Sequence, residues 1–329
     1  MNIRLCLLTA SALLLLSFTG CTKSPEEKLA AHRENATRYQ DEGKIDEAVI
    51  ELRNALQIDP KNAEALFQIG ELYLKKGQFQ EAFGAFRQAS ELDPQNVDAL
   101  LRLGNLYLLG NSAGEARAKA ESAVTLAPTR AETHLLLGKA LLKLGETAEG
   151  LTELDRAIEL APGDADYRLV KATALLALKR ADDSRRLVEE ILDRDPANVR
   201  ALLLLAQIAE LGGDSKGAES AFDRLLEAEP SNPGIWLTYG NFWSSRGETG
   251  KASQAYRKAA ELDPKSTAGW ERLAEISLAA GDAQAAREAV DRIVEVNPKS
   301  TAATYYKARL LVSEKKFSEA VPLLREVLK

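Results

Sequence analysis

Apolar residues recur along this chain in short sets spaced i, i+4, i+7, the spacing that puts them on one helical face. Leu66, Gly70 and Tyr73 form one such set. Leu100, Gly104 and Tyr107 form another, and Trp236, Gly240 and Trp243 a third. Each is followed by a second set with the same spacing, such as Ala82, Phe86 and Ala89, or Ala252, Tyr256 and Ala259. Large residues fill space, and the Gly or Ala between them lets two helix backbones approach. Between the sets stand Gly43, Gly77, Asn111, Gly145, Gly213, Gly247 and Gly281. Gly, and after it Asn, is the cheapest residue for a left-handed turn after a helix. The pattern therefore predicts pairs of helices joined by tight turns.

A longer period lies over the short one. Pro60, Pro94, Pro128, Pro162, Pro196, Pro230, Pro264 and Pro298 are each 34 residues apart. A fixed period in this range marks a solenoid. With the proline placed at position 32, nine units start at residues 29, 63, 97, 131, 165, 199, 233, 267 and 301. The proline ends the second helix, because the residue before it is pushed out of the helical region. Asn62, Asn96, Asn198 and Asn232 follow two residues later and are placed to cap the next helix. A 34-residue unit with one proline resembles the tetratricopeptide repeat (TPR), a helix-turn-helix unit. The resemblance implies an all-α, right-handed superhelical solenoid whose first helices line the concave side. One unit cannot bury its own apolar faces, so stability becomes a sum over neighbouring interfaces.

Two units depart from the pattern. The fifth has Arg168, Lys171 and Ser184 at positions 4, 7 and 20, and Lys179 at the turn. The ninth has Thr304, Lys307 and Lys315 at positions 4, 7 and 15. The fifth is expected to be the weakest internal link. The sequence stops at position 29 of the ninth unit, so Val327 and Leu328 are expected to meet another protein, a second copy or a further segment.

Composition narrows the function. Net charge is -6, which speaks against nucleic acid as a partner. The start of the chain reads as an address: Arg4, then an apolar run from Leu5 to Phe18, too short for a membrane span and typical of a secretory signal. The following "SFTGC" resembles the lipobox of bacterial lipoproteins, with Phe18 where Leu is usual. That resemblance implies cleavage after residue 20, a lipidated Cys21 and, because Thr22 rather than Asp follows, an outer-membrane address. Residues 1–20 are then signal peptide, 21–28 the lipidated Cys and a tether, and 29–329 the solenoid. Fully stretched, that tether reaches about 23–25 Å. Cys6 leaves with the signal and Cys21 is consumed by lipid, so the folded part has no thiol for catalysis, zinc or a disulfide.

No catalytic, metal or cofactor constellation appears. His32 and His134 both fall at position 4, a packing position, and Trp236, Trp243 and Trp270 at positions 4 or 11. They are read as structural. The glycines follow the turns and helix contacts, not a phosphate-binding spacing. In TPR proteins the ligand-facing positions of the first helix are roughly 2, 5, 9 and 12. Position 5 here reads Arg33, Phe67, Leu101, Leu135, Leu169, Leu203, Leu237, Glu271 and Tyr305. Position 12 adds Leu74, Leu108, Leu142 and Leu176, and position 9 offers Asn105, Lys139, Gln207, Asn241 and Arg309. An apolar strip flanked by hydrogen-bonding groups suits a helix or extended peptide laid in a groove. Packing between neighbouring first helices is the alternative use of the same leucines. The carboxylate clamp of chaperone-type TPR proteins is incomplete: Arg33 and Arg102 occur, but Thr37, Gln68 and Asp98 stand where its other partners belong.

These features indicate a non-enzymatic scaffold for protein partners, anchored in the bacterial envelope and facing the periplasm. "GCTKSPEEKLA" and the unit after it resemble TPR lipoproteins of exosortase (PEP-CTERM) and exopolysaccharide systems. A pilotin-like role in pilus or secretin assembly is a rival reading. A glycan-binding or enzymatic groove is a rival of another class, and the leucines at position 5 speak against it.

Overall fold

The computed structural model describes residues 24–328. The segment read as a signal peptide, and Cys21, lie outside the described residues. Eighteen α-helices and no strand occur among the described residues, and they divide into two compact units at Pro162–Gly163. The first unit holds α1 (Pro25–Asp41), α2 (Ile45–Ile58), α3 (Ala63–Lys75), α4 (Phe79–Leu92), α5 (Val97–Leu109), α6 (Ala113–Leu126), α7 (Ala131–Leu144) and α8 (Thr147–Leu160). The second holds α9 (Ala165–Ala177), α10 (Ala181–Arg194), α11 (Val199–Leu211), α12 (Ser215–Ala228), α13 (Pro233–Ser245), α14 (Thr249–Leu262), α15 (Ala268–Ala280), α16 (Ala283–Val296), α17 (Thr301–Ser313) and α18 (Phe317–Val327). Within each unit the helices pair as the 34-residue period predicts, and each second helix also packs on the first helix of the next pair.

Close approach inside a pair depends on the residue at position 8. A Cβ on Gly70 would stand 2.6 Å from the Phe86 ring, and one on Gly240 would stand 2.4 Å from the Tyr256 ring. Phe86 is 0% exposed, so the large residue at position 24 fills the space the glycine leaves. In the third pair position 24 is Ala120, and the same space is taken by Leu136 of the next repeat, 2.5 Å from a Cβ on Gly104. In the fourth, α7 and α8 meet glycine to glycine: a Cβ on Gly138 would lie 2.9 Å from the Gly150 carbonyl oxygen.

The turn at position 15 is left-handed in all nine repeats. Six glycines have φ between 71° and 85°, and Asn111, Lys179 and Lys315 take φ of 61–62°. The two lysines that break the sequence pattern thus leave the geometry unchanged and carry the strain of a side chain in the left-handed region. The predicted caps are present. Asn62, Asn96 and Asn198 accept from the amides of Ala65, Ala99 and Ala201, and Asn232 accepts from Gly234. One boundary needs correction: Ser24 caps α1, accepting from the Glu27 amide at 3.1 Å while its own amide donates to the Glu27 carboxylate at 2.8 Å. Pro25 at the first helical position completes this capping box. Residues 25–28, expected to be tether, are the first turn of a helix.

Polar residues at position 4 find partners. His32 and His134 each place Nδ1 2.6 Å from a carboxylate, of Glu51 and Glu153 respectively. The Nε2 of His134 lies 2.9 Å from the Pro128 carbonyl, and the Trp236 indole donates to the Pro230 carbonyl at 2.9 Å. In these two repeats the position-4 side chain staples the first helix to the proline that ends the preceding repeat. In the fifth repeat, buried Arg168 pairs with Glu190 at 3.5 Å, and buried Ser184 donates to the Ala172 carbonyl at 2.7 Å.

Lys179→Gly and Lys315→Gly should each stabilise the fold, by about 1 kcal/mol, since glycine removes the left-handed penalty; thermal melting of each variant checks this. Gly138→Ala should do the reverse and cost about 1–3 kcal/mol, because its methyl meets backbone that cannot rotate away; a midpoint in denaturant equal to that of the parent would refute it.

Candidate partner-binding face

The first helices of each unit present a face of their own. Adjacent first helices touch: α5 with α7 in the first unit, α9 with α11 and α15 with α17 in the second. Contact of this kind buries some position-5 side chains and leaves others open. Leu101 is 6% exposed and packs with Leu136 and Leu137, and Leu169 is 4% exposed within the core of the second unit. These two belong to the interior and offer a ligand little surface. Phe67, Leu135, Leu203 and Leu237 are half-buried, and Tyr305 is exposed. Leu74, Leu108, Leu142 and Leu176 at position 12 are half-buried as well.

In the first unit the partly open apolar side chains of the first helices are Phe67, Leu135, Leu74, Leu108 and Leu142, and Leu109 is 66% exposed. The Phe67 ring is braced by Phe86, with centroids 5.5 Å apart. The charges around the strip are matched internally. Arg102 pairs with Glu71 at 2.7 Å across one repeat, and Arg130 pairs with Asp98 at 2.7 Å across the next. Arg102, expected as one member of an incomplete clamp, faces Glu71. Asn105 donates to the Leu101 carbonyl at 2.8 Å, and Lys143 donates to the Leu108 carbonyl at 3.3 Å. Lys139 lies half-buried on the same helix as Leu135.

In the second unit the strip consists of Leu203 and Leu237, with Leu176 one repeat earlier. Gln207 and Asn241 are exposed beside it. Asn241 does not swing freely: its amide oxygen accepts from the Tyr256 hydroxyl at 2.9 Å, which leaves the amide NH₂ for a ligand. Burial holds the Tyr256 phenol above the ordinary tyrosine range. The sequence reading missed this support, although a Tyr at position 24 of a repeat with Asn at position 9 was its visible signal. At the far repeats the face changes character. Glu271 and Tyr305 replace the position-5 leucines, Glu275 and Arg309 stand at position 9, and the Arg309 guanidinium lies 5.6 Å from the Tyr305 ring. Tyr306 beside them is raised above its ordinary range by burial and then by the charges of Glu275 and Glu271.

No group of acidic, His or Cys residues able to hold a metal occurs among the described residues, and no described helix is long and apolar enough to cross a membrane. Each unit therefore offers an apolar strip of modest width with fixed amide groups and paired charges at its border. Such a strip can bury apolar side chains, and the amides at its border can exchange hydrogen bonds.

Comparison with known families accounts for the chain from residue 37 to 324. Tetratricopeptide repeat profiles match residues 37–77, 68–131, 110–174 and 169–233. The middle TPR-like domain of cilia and flagella-associated protein 70 matches 202–324. All are repeat families, and no catalytic family is among them. No curated protein matches the chain significantly. Solved structures similar to it include a tetratricopeptide repeat protein from Parabacteroides merdae, with a TM-score of 0.63, 17% identity, and coverage of 76% of this chain and 99% of that one. Pseudomonas aeruginosa pilF follows with a TM-score of 0.50, 23% identity and coverage of 63% and 95%. MamA from Desulfovibrio magneticus has a TM-score of 0.49, 20% identity and coverage of 53% and 99%. At these identities the likeness is one of fold. The repeat period, the paired helices and the matching profiles agree: this chain belongs to the tetratricopeptide repeat family.

Proposed function

We propose that the first-helix face of each unit binds an extended or helical segment of a protein partner, and that the chain does so at the bacterial envelope, held by lipid on Cys21. The TPR fold supports the first part, a protein-interaction scaffold. The observation that carries it is the half-buried strip of Phe67 and Leu135 in one unit and Leu203 and Leu237 in the other, bordered by exposed Asn105, Gln207 and Asn241. Apolar groups left partly open beside hydrogen-bonding groups favour a peptide, which brings both side chains to bury and a backbone to bond. The lipobox-like "SFTGC" supports the second part. Bacterial lipoproteins carry more than one acyl chain, enough for a stable anchor where a single chain is marginal. The resemblance to exosortase and exopolysaccharide lipoproteins makes the finer reading a helper in assembly or export of envelope components.

The burial pattern supplies its own control for the binding role. Photoreactive residues at positions 135 and 203 should crosslink in living cells to one and the same protein, while the buried position 101 should give only products within the chain. Glu substitutions at Leu135 and Leu203 should abolish the adducts without changing the melting temperature by more than about 3 °C, since the side chains are already half-open. Products confined to the chain at all three positions would sink the reading, and the protein captured separates an export role from secretin assembly. For the anchor, intact-mass measurement should find acyl groups on Cys21, and Cys21→Ala should release the protein from the membrane fraction; an unmodified, cleaved Cys21 would remove the envelope part of the proposal.

A further inference from the structure

The C-terminal ends of the first helices in the first unit differ in charge from the rest of that face. The carboxylates on α3, α5 and α7 are Glu64, Glu71, Asp98 and Glu132, and each has a partner. Gln68 donates to Glu64 at 2.8 Å, Arg102 meets Glu71, and Arg130 meets both Asp98 and Glu132. Lys75 and Lys143, in the last turns of α3 and α7, form no ion pair among the described residues. The Lys143 ammonium reaches only a neutral group, the Leu108 carbonyl at 3.3 Å. Position 13 reads Asp41, Lys75, Leu109 and Lys143 in this unit, but Ala177, Leu211, Ser245, Ala279 and Ser313 in the other. The lysines are therefore a departure of the first unit, not a property of the repeat.

The helix register sets these lysines around a leucine. Arg102 of α5 meets Glu71 of α3; Lys75 lies one turn beyond Glu71 and Leu109 two turns beyond Arg102, so both extend faces that already meet. On the other side, the bond from Lys143 to Leu108 brings the end of α7 to the end of α5. Leu109 is 66% exposed between them, with Leu74, Leu108 and Leu142 half-buried at position 12. An apolar side chain laid on this leucine brings its neighbours beside two ammonium groups. A carboxylate there meets charge with no internal competitor, and a Lys or Arg is repelled. An anionic membrane surface fits less well, since such surfaces are read by clusters of about 4–8 basic residues. We propose that this band recognises a protein segment in which Asp or Glu flanks a large apolar residue. The proposal rests on the reading of the first-helix face as a peptide site and names the chemistry of its ligand in the first unit. It shares no residue with the incomplete clamp of Arg33, Arg102, Thr37, Gln68 and Asp98.

A random peptide library displayed on phage, selected against the full chain, provides the test. Selected peptides whose binding Leu109→Ser weakens should carry Asp or Glu beside Leu, Ile or Phe. For such a peptide, Lys75→Gln and Lys143→Gln should each weaken binding about two- to fivefold, the worth of one exposed ion pair. Lys75→Arg and Lys143→Arg should retain it, and the helical circular dichroism of all these variants should match that of the parent. Selection against the double variant Lys75→Glu, Lys143→Glu should enrich Lys and Arg in place of the acids. Peptides that need Leu109 but show no acidic bias, or Gln variants that bind them as tightly as the parent, would overturn the acidic ligand and leave the peptide reading standing. A selection that yields no peptide would remove both. Binding to phosphatidylglycerol vesicles, or a dimer seen by sedimentation, that the double variant abolishes while no acidic peptide is selected would assign the band to a membrane or to a second copy, and would overturn the proposal as well.

Discussion

Within each unit a second helix buries one side against its own first helix and, where another pair follows in that unit, a second side against the first helix of that pair. No repeat can meet both demands alone, and everything else in the structure is arranged to keep that contact possible. The first contact needs a small residue at position 8, where any Cβ on Gly70, Gly138 or Gly240 would fall inside contact distance. The second needs the chain to reverse in the same way each time. That is the work of the left-handed residue at position 15 and the proline at position 32. Given those fixed points, the register of every side chain follows. The faces are then determined: first helices present one surface, second helices the other.

This is why so much of the fold was legible in the sequence. The period, the helix pairs, the turn and the asparagine caps are local chemistry repeated, and each recurrence reinforces the reading. What was not legible depends on neighbours. Leu101 and Phe67 share position 5, yet one is buried among Leu136 and Leu137 and the other stays half-open against Phe86. Position alone cannot separate them, because the difference lies in what the adjacent repeat supplies. The same holds for Gly104, whose space is filled by a leucine from the next repeat and not by its own second helix. The start of α1 is a different case. Ser24, Pro25 and Glu27 spell a capping box, and the signal was hidden only by an assumption that the first helix begins where the repeat begins.

Charge follows the same logic. Several first-helix carboxylates meet cations about one repeat length away: Glu71 with Arg102, Asp98 with Arg130, Asp166 with Arg200. Exposed pairs of this kind add little stability each. On the proposed reading their consequence is for recognition, since charges already paired leave the apolar side chains and amides to meet a partner. Where the pairing scheme changes, at Glu271, Glu275 and Arg309, the face offers different chemistry, and one solenoid can hold more than one kind of contact.

A repeat that matched its consensus everywhere would carry stability and no individuality. In this chain the individuality sits in departures that keep the backbone unchanged. Lys179 and Lys315 hold the same turn as glycine. Ser184 replaces an alanine and still closes its hydrogen bond, to Ala172. His134 and Trp236 take a leucine position and bond the preceding proline carbonyl. Because each interface contributes separately to stability, a local deficit is tolerated as long as its neighbours hold. Ser277 is another such departure, a small polar residue where four repeats carry an aromatic ring, and α15 runs through it unbroken.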